Sequence, residues 1–409
     1  MMTYPIFSKS NKIFSSVGLH PLVNNRVRRL YAYSVSGIMI VMTILYVVES
    51  CRGGWKSVKH EISSLVFTIF LSSEFFTSMM RFTRREKINR IIEQKFCSTF
   101  RTSLRKIDFQ ENCLIWFWLV LMCLVHIFWL LLPIIGMQNK DTEETKRVLP
   151  EILWWPFFDL SKHPHYEIAY VVEIYITVYY VIVSFDVATT VPIISLHIYG
   201  QMKVMAFYLK KVGKTDFKDN QEIIYTNVQH GSYVVVNRKL KTPRLHEGQL
   251  EIPYTLIETY MEMFVKDIIR YHNMILSVTR EFTDLKHVNM IQRFTVVTVL
   301  LITVTTQINK TYSPPLALMF IIGIVSWEFN LCLSSELIDS GNERIFAAAY
   351  DNAWWICTNR VRRMLSFMMC RTRAANHIKL FGFLIVSYAL IPETLRFSYS
   401  VYILLESSN

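Results

Sequence analysis

The chain has 409 residues, of which 52% are hydrophobic and 14% aromatic, and its mean hydropathy is positive. A soluble protein of this length usually carries more charge and more glycine and proline, so the composition argues against a soluble globular protein. The net charge of +12 does not indicate nucleic-acid binding, because the basic residues flank apolar blocks on one side, where they meet anionic lipid.

Long apolar blocks divide the chain. A bilayer core about 30 Å thick needs roughly 20 apolar residues per helix, and seven blocks have about that length. In chain order they are Tyr31–Ser50, Ile62–Met80, Cys113–Gly136, the outer part of Ile168–Ile198, Val288–Gln307, Pro314 to about Ile338, and Leu380–Leu405. The first block lacks a small-residue cleavage site, which predicts a retained anchor rather than a cleaved signal peptide.

The predicted fold class is therefore an all-α integral membrane protein with seven transmembrane helices, because helices satisfy their own backbone hydrogen bonds in lipid. The segments before span 1 and between spans 2 and 3, 4 and 5, and 6 and 7 hold 34 of the 44 Lys and Arg residues, whereas the opposite loops hold 8. This asymmetry predicts a cytoplasmic N-terminus and an extracellular C-terminus. A G-protein-coupled receptor has the reverse topology and usually an external disulfide, but the loop Met137–Glu167 contains no cysteine.

The cytoplasmic segment 199–287 contains a long amphipathic pattern. The stretch "VNRKLKTPRLHEG" has no periodicity and predicts a loop, after which Pro253 is suited to open a helix. The apolar positions that follow alternate spacings of four and three and lead directly into span 5. They are Ile257, Met261, Phe264, Ile268, Tyr271, Ile275, Val278, Phe282 and Leu285, called here the seam. The seam predicts either packing inside the chain or assembly of subunits through a cytoplasmic base.

A second cytoplasmic helix is predicted within 339–379, where Ile345, Ala349, Trp355 and Ile356 form an approximate apolar face and Arg373–Lys379 form a break. The predicted organisation then follows from the spans. It comprises a cytoplasmic segment 1–30, spans 1 to 4 with the ligand-pocket region at 31–198, the cytoplasmic segment 199–287, spans 5 and 6 at 288–338, the cytoplasmic helix 339–379, and a terminal helix 380–409.

No catalytic or metal-binding motif is present in the sequence. It contains no G-x-S-x-G, HExxH, P-loop or glycine-rich fingerprint, and its seven cysteines include no CxxC pair. We therefore expect neither an enzyme nor a protein with a metal or other cofactor.

Four stretches resemble the insect odorant receptor family. They are "SSELIDSGNERIFAAAYDNAWW" followed by basic residues, "ETLRFSYSVYILL" at the terminus, "LPEILWWPFFDLSKHPHYEI" before span 4, and "RYHNMIL" ahead of span 5. The resemblance implies a ligand-gated, nonselective channel for monovalent and divalent cations in the plasma membrane of sensory neurons. It also implies four subunits around one pore, with a shared odorant-receptor co-receptor in a heterotetramer and a small volatile organic ligand.

The chain lacks the longer intracellular insertion of the co-receptor, so it resembles a ligand-tuning subunit. A gustatory-receptor-like channel is an alternative that would share fold and pore. The resemblance further implies that cytoplasmic helices anchor the subunits, which assigns the seam residues Ile257, Met261, Phe264, Ile268, Tyr271 and Ile275 to assembly.

The resemblance also implies that the last helix lines the pore. Thr394, Ser398, Tyr402 and Leu405 lie at spacings of four, four and three, on one helical face. Such a stripe can face water, and a bulky ring near its top can close a pore by dewetting. Ordinary packing between membrane helices is the alternative, because Ser and Thr also serve as close-contact residues there.

A volatile ligand requires a mostly apolar, aromatic-lined cavity. The outer halves of spans 2 to 6 supply candidates for its walls. They are Phe67, Phe70, His126, Phe128, Trp129, Tyr170, Ile174, Tyr175, Thr303, Met319 and Phe320.

Overall fold

The computed structural model describes residues 34, 37, 38, 41, 44, 101–138, 163–246, 249–307, 314–373, 378–380 and 384–407. Within these ranges the α-helices are α1 Arg101–Gln138, α2 His165–Leu209, α3 Ile257–Gln307, α4 Pro314–Tyr350, α5 Asn359–Arg373 and α6 Leu390–Ser407. Predicted spans 3 to 6 lie inside α1 to α4. The five single residues before position 101 are helical and belong to predicted span 1, whereas span 2 lies outside the described residues.

The helix α3 joins the seam to span 5 without interruption, as predicted. It has 51 residues and contains neither proline nor glycine, the usual causes of a sharp kink. Pro253 precedes a 3₁₀ turn, Tyr254–Leu256, that leads into the α-helix. The residues that form the seam are therefore part of one long rod.

Three helices, α1, α2 and α4, pack closely. A Cβ at Gly200 of α2 would overlap Ile107 of α1, and a Cβ at Gly341 of α4 would overlap Met202 of α2. Since a glycine lets two helix surfaces approach without a side chain between them, these two positions fix the depth of contact. The lower half of α2, from Val191 to Met202, is buried throughout.

A five-stranded sheet lies between α2 and α3, so the all-α prediction was incomplete. Its strands are β1 Asp216–Lys218, β2 Gln221–Tyr225, β3 Tyr233–Val236, β4 Arg244–His246 and β5 Gln249–Ile252, in the order β1-β2-β3-β5-β4. The β3–β5 pair is parallel and the others are antiparallel.

The predicted loop "VNRKLKTPRLHEG" was wrong in part, because it includes the last residue of β3 and all of β4. All three residues of β4 are exposed, so this edge strand has no buried face.

The connection from α4 to the terminal helix also differs from the prediction. Predicted span 6 continues as α4 to Tyr350, and α5 follows a short 3₁₀ turn, Trp354–Ile356, so the region 339–379 holds two helical pieces. Ile345 and Ala349 are buried, but Trp355 and Ile356 are exposed, so the predicted apolar face was wrong for the last two.

The last helix begins later than predicted. Two short antiparallel strands, β6 Lys379–Leu380 and β7 Leu384–Ile385, precede α6, which begins at Leu390 rather than Leu380. An apolar run alone cannot separate a strand pair from the first turns of a helix, because both are apolar when buried.

Large apolar side chains cover the outer surfaces of the long helices. In α1 these are Trp116, Phe117, Val120 and Leu124, and α2 contributes Val171 and Val178. Within the described part of the chain, Ile107–Leu124 of α1 is long and apolar enough to cross a membrane by length and composition. The apolar exteriors are suited to lipid.

Candidate functional site

The terminal helix α6 presents two different faces. Leu390, Thr394 and Ser398, spaced by four, are buried at 4%, 4% and 2% exposure. The other side is open, with Phe397 and Tyr399 exposed at 56% and 63%. Pro392 lies in the first turn, where its missing N–H would have had no helical partner. One face of this helix therefore packs inside the chain and the other is available to lipid or to another subunit.

The buried face of α6 is bonded to α4. The Thr394 hydroxyl lies 2.8 Å from Oε1 of Glu328, which is itself only 4% exposed. The same hydroxyl lies 3.0 Å from the Leu390 carbonyl oxygen one turn earlier. The Ser398 hydroxyl donates to the Thr394 carbonyl oxygen at 2.9 Å. The Thr394 hydroxyl therefore joins the two helices, whereas the Ser398 hydroxyl is bonded within its own helix.

Two of the four predicted pore residues therefore lie elsewhere than expected. Thr394 and Ser398 are enclosed by the chain's own helices, and this matches the packing alternative rather than a water-lined stripe. Tyr402 and Leu405 belong to the same helix, and their side chains lie outside the described set. Helical spacing identified a common face correctly, but it could not say what that face contacts.

A second attachment holds the start of the terminal helix. The Tyr388 backbone N–H donates to Glu336 Oε1 of α4 at 3.4 Å, and the Tyr388 ring stacks on Phe329 with ring centroids 5.5 Å apart. Glu328, Cys332 and Glu336 follow one another at spacings of four along α4. This face of α4 therefore holds the terminal helix at two levels.

The outer part of α2 contains three of the predicted pocket residues. Tyr170 and Ile174 are half-buried and Tyr175 is exposed. The Tyr170 ring stacks on Tyr166 with centroids 6.0 Å apart, and the Tyr175 hydroxyl lies 3.0 Å from Ser34 Oγ of predicted span 1. The second contact places Tyr175 beside the first span, and a ligand-binding role for these three residues stays a prediction.

The other residues of the predicted pocket also remain a prediction. Phe67 and Phe70 lie outside the described residues. His126, Phe128, Trp129, Thr303, Met319 and Phe320 lie within described helices, but their side chains lie outside the described set.

Sequence reasoning missed Glu173, a completely buried acid on the helix that carries Tyr170 and Ile174. The available signal was an ionisable residue inside an otherwise apolar span, which seldom faces lipid.

A buried polar bridge joins the helices of spans 3, 4 and 6. Trp118 Nε1 of α1 donates to Asn330 Oδ1 of α4 at 3.2 Å, and Asn330 Nδ2 donates to the Ala188 carbonyl oxygen of α2 at 2.9 Å. Nearer the segments 199–287 and 339–379, called here the base, His197 Nε2 of α2 lies 3.0 Å from Glu111 Oε2 of α1. The two bonds of Asn330 therefore tie α1 and α2 to α4, the helix that holds α6, and the histidine contact ties α1 to α2.

The seam is enclosed within the chain. Met261, Phe264, Ile268, Tyr271 and Ile275 are buried, and Ile257 is half-buried. Tyr271 donates its hydroxyl proton to Gln201 of α2. The alternative of packing inside the chain fits these side chains, because the five buried ones have almost no surface left for direct contact with another subunit. A role in assembly stays a prediction, and for these five it would be indirect.

The base also contains a buried histidine. His272 of α3 is 2% exposed, and its Nε2 has no hydrogen-bond partner among the described residues. Burial, assisted by the positive charge of Arg371, lowers the pKa of His272 from 6.5 to about 4. The histidine is therefore neutral at physiological pH.

Comparisons with known proteins agree with the geometry. The family described as 7tm Odorant receptor matches residues 56–399. Odorant receptor 85b and Odorant receptor 85c of Drosophila melanogaster are 22% and 23% identical to the chain over 147 residues. Each match covers 35% of this chain and 38% of the relative, well under half of either.

The insect olfactory receptor OR5 from Machilis hrabei has a similar fold. The TM-score is 0.72 at 12% identity, and the alignment covers 98% of this chain and 97% of that chain.

Proposed function

Because this chain belongs to the 7tm odorant receptor family, we propose that it is a subunit of an odorant-gated, nonselective cation channel in the plasma membrane of sensory neurons. In this proposal seven helices cross the membrane, the N-terminus is cytoplasmic, and a small volatile ligand binds in the outer half of the bundle. The observation that carries it is the family match over 56–399, joined to a terminal helix with one bonded and one open face.

The conduction path is assigned to α6. A pore between subunits must be lined by side chains that a single chain leaves open. Leu395, Tyr399 and Ile403 meet this requirement at spacings of four. They form the open stripe. Tyr402 and Leu405 remain predicted pore residues from the sequence, on the face that begins with Thr394.

Cysteine accessibility separates the two faces. We expect Tyr399→Cys to react with a charged thiol reagent applied from outside, faster when agonist is present, and Ser398→Cys to react slowly because position 398 is buried. Reaction at 398 and 402 without reaction at 399 would instead support the stripe predicted from the sequence.

Assembly is assigned to the outside of the base, where Trp354, Trp355, Ile356 and Phe367 are exposed. Large exposed apolar side chains outside the membrane are typical of a protein–protein contact. The proposed partners are co-receptor subunits in a heterotetramer, and the segments 199–287 and 339–379 provide the base.

Whole-cell recording tests the proposal. The chain is expressed with and without a co-receptor, G-protein signalling is blocked, and an odorant panel is applied. We expect a ligand-evoked current that reverses near 0 mV, as a nonselective cation pathway requires. A response abolished by the G-protein block would contradict the channel function.

A further inference from the structure

We propose that Glu328 of α4 is a positioning residue that, through Thr394, sets the resting position of the terminal helix and hence the balance between closed and open channels. The inference rests on the proposed channel function and adds the residue pair that holds the closed state. It starts from the 2.8 Å contact between the Thr394 hydroxyl and Glu328 Oε1, which joins residues 66 apart in the sequence.

The first step concerns the carboxyl group of Glu328. Its side chain is buried at 4% exposure, and Oε2 has no hydrogen-bond partner among the described residues. A buried carboxyl group with one satisfied oxygen is costly, and loss of its remaining partner costs more than an ordinary hydrogen bond contributes. The Thr394 hydroxyl is therefore the main compensation for the burial of this group.

The second step concerns the hydroxyl of Thr394. It lies 2.8 Å from the Glu328 carboxyl oxygen and 3.0 Å from the Leu390 carbonyl oxygen of its own helix. Its single proton can be donated to either acceptor. When α6 moves away from α4, the hydroxyl retains a partner in its own helix, whereas Glu328 loses its only described one. The free-energy cost of separating α6 from α4 therefore comes mainly from the loss of the hydrogen bond to Glu328.

The third step concerns what can oppose this bond. Water that enters between separating helices can hydrogen-bond to both oxygens of Glu328, including the one that has no partner in the closed packing. The bond to Thr394 thus favours the packed position, while the unsatisfied oxygen favours the hydrated one. Small substitutions in this pair can therefore shift the equilibrium between the packed and the hydrated positions in either direction.

The expected directions follow from this balance. Thr394→Val keeps the shape of the side chain but removes the hydroxyl, which leaves Glu328 without a partner in the packed state. We expect the agonist concentration for half-maximal current to fall about tenfold, with a standing current before ligand is added. Glu328→Leu removes the buried polar group altogether, so the packed state is favoured and the half-maximal concentration rises.

The double variant carries the decisive comparison. If the two residues act through one bond, Thr394→Val in a Glu328→Leu background changes the half-maximal concentration less than twofold, because no carboxyl group remains. Glu328→Gln and Thr394→Ser keep an acceptor and a hydroxyl, and both should behave much like the parent chain. Ser398→Ala is the matched control, because Ser398 is also buried, but among the described residues its hydroxyl bonds only to a carbonyl oxygen of its own helix.

Each variant is expressed with the co-receptor, and its surface amount is measured by biotinylation alongside the current. Equal shifts from Thr394→Val in both backgrounds, or no shift at normal surface amount, would overturn the inference while leaving the channel function intact. If Thr394→Val does not reach the surface, Glu328→Leu is compared with Glu328→Gln instead. Equal half-maximal agonist concentrations for these two variants would overturn the inference. Absence of any ligand-evoked current from the parent chain would instead reject the channel function.

Discussion

The base of the molecule and its apolar helices follow opposite packing rules. In the base, apolar side chains such as Phe264 and Ile268 are buried and charged ones such as Lys218 are exposed, as in a soluble protein. In α1 and α4 the exteriors carry side chains such as Trp116, while Asn330 and Glu328 lie inside. The difference indicates that the base is packed for contact with water and the apolar helices for contact with lipid. The effect of a substitution on stability therefore depends on the region.

The largest difference in stability is expected between a seam position and its exposed neighbour on α3. Phe264→Asp places a charge at a site with 1% exposure, and we expect about 3–5 kcal/mol of destabilisation because the charge has no partner. Met263→Asp, one residue away at 52% exposure, should change stability little. Thermal unfolding in detergent and the surface amount measure both. Equal losses for the two variants would mean that the seam is not enclosed.

Acidification should weaken the base through His272. Its folded pKa of about 4 lies below the ordinary 6.5, so the unfolded chain binds the proton more readily. The contribution of neutral His272 to the free energy of unfolding is therefore present above pH 6.5 and is lost as the pH falls from 6.5 towards 4. At pH 5 the loss is about 2 kcal/mol.

His272→Leu should flatten this part of the stability profile, measured as unfolding temperature against pH. The exposed His230→Leu is the control and should leave the profile unchanged. A profile that keeps its full slope in His272→Leu would assign the pH dependence to other groups.

In the apolar helices the rule is reversed, because replacing a buried polar side chain with an apolar one destabilises the packing. Asn330→Leu makes α4 more apolar, yet it removes the acceptor of Trp118 Nε1 and the donor to the Ala188 carbonyl oxygen. We expect about 1 kcal/mol of destabilisation, typical of hydrogen bonds between membrane helices. Trp116→Leu, on the exposed side of α1, should have a smaller effect on detergent unfolding. A larger loss from Trp116→Leu would place the lipid-facing side elsewhere.

The smallest effect is expected at the surface of the sheet. Arg238 Nε and Nη2 each lie 3.3 Å from a carboxylate oxygen of Glu222, and these bonds lower the pKa of Glu222. Because the Arg238 side chain is 70% exposed, Arg238→Ala should cost at most a few tenths of a kcal/mol. Unfolding at low and high salt measures this, and high salt should remove the difference between the parent and the variant.

The sequence predicted those elements whose physical signal is long and periodic. The seam and its continuation into span 5 were predicted because apolar spacing of three and four persists over several turns. The sheet was missed because its strands have only three to five residues, too few for an alternating pattern to be recognised.

The candidate site was predictable only in part. Spacing placed Thr394 and Ser398 on one face of α6, but a small hydroxyl suits both a wet surface and a tight helix contact. The partner of Thr394 in the structure is Glu328, which lies on another helix, 66 residues away in sequence. Contacts between distant segments have no local signature, which is why the pair could not be found from the sequence.

The length of α3 has a mechanical consequence. Its 51 residues extend about 76 Å at 1.5 Å per residue, more than twice the thickness of a bilayer core. With no proline or glycine along it, the helix behaves as a stiff lever whose lower arm is clamped in the base. The free arm beyond the seam, from Lys286 to Gln307, has 22 residues and is about 33 Å long, so a tilt of about 5° at the clamp displaces its far end by roughly 3 Å. A side-chain rearrangement in the base is thereby transmitted to the far end of the helix as a movement about as long as a hydrogen bond.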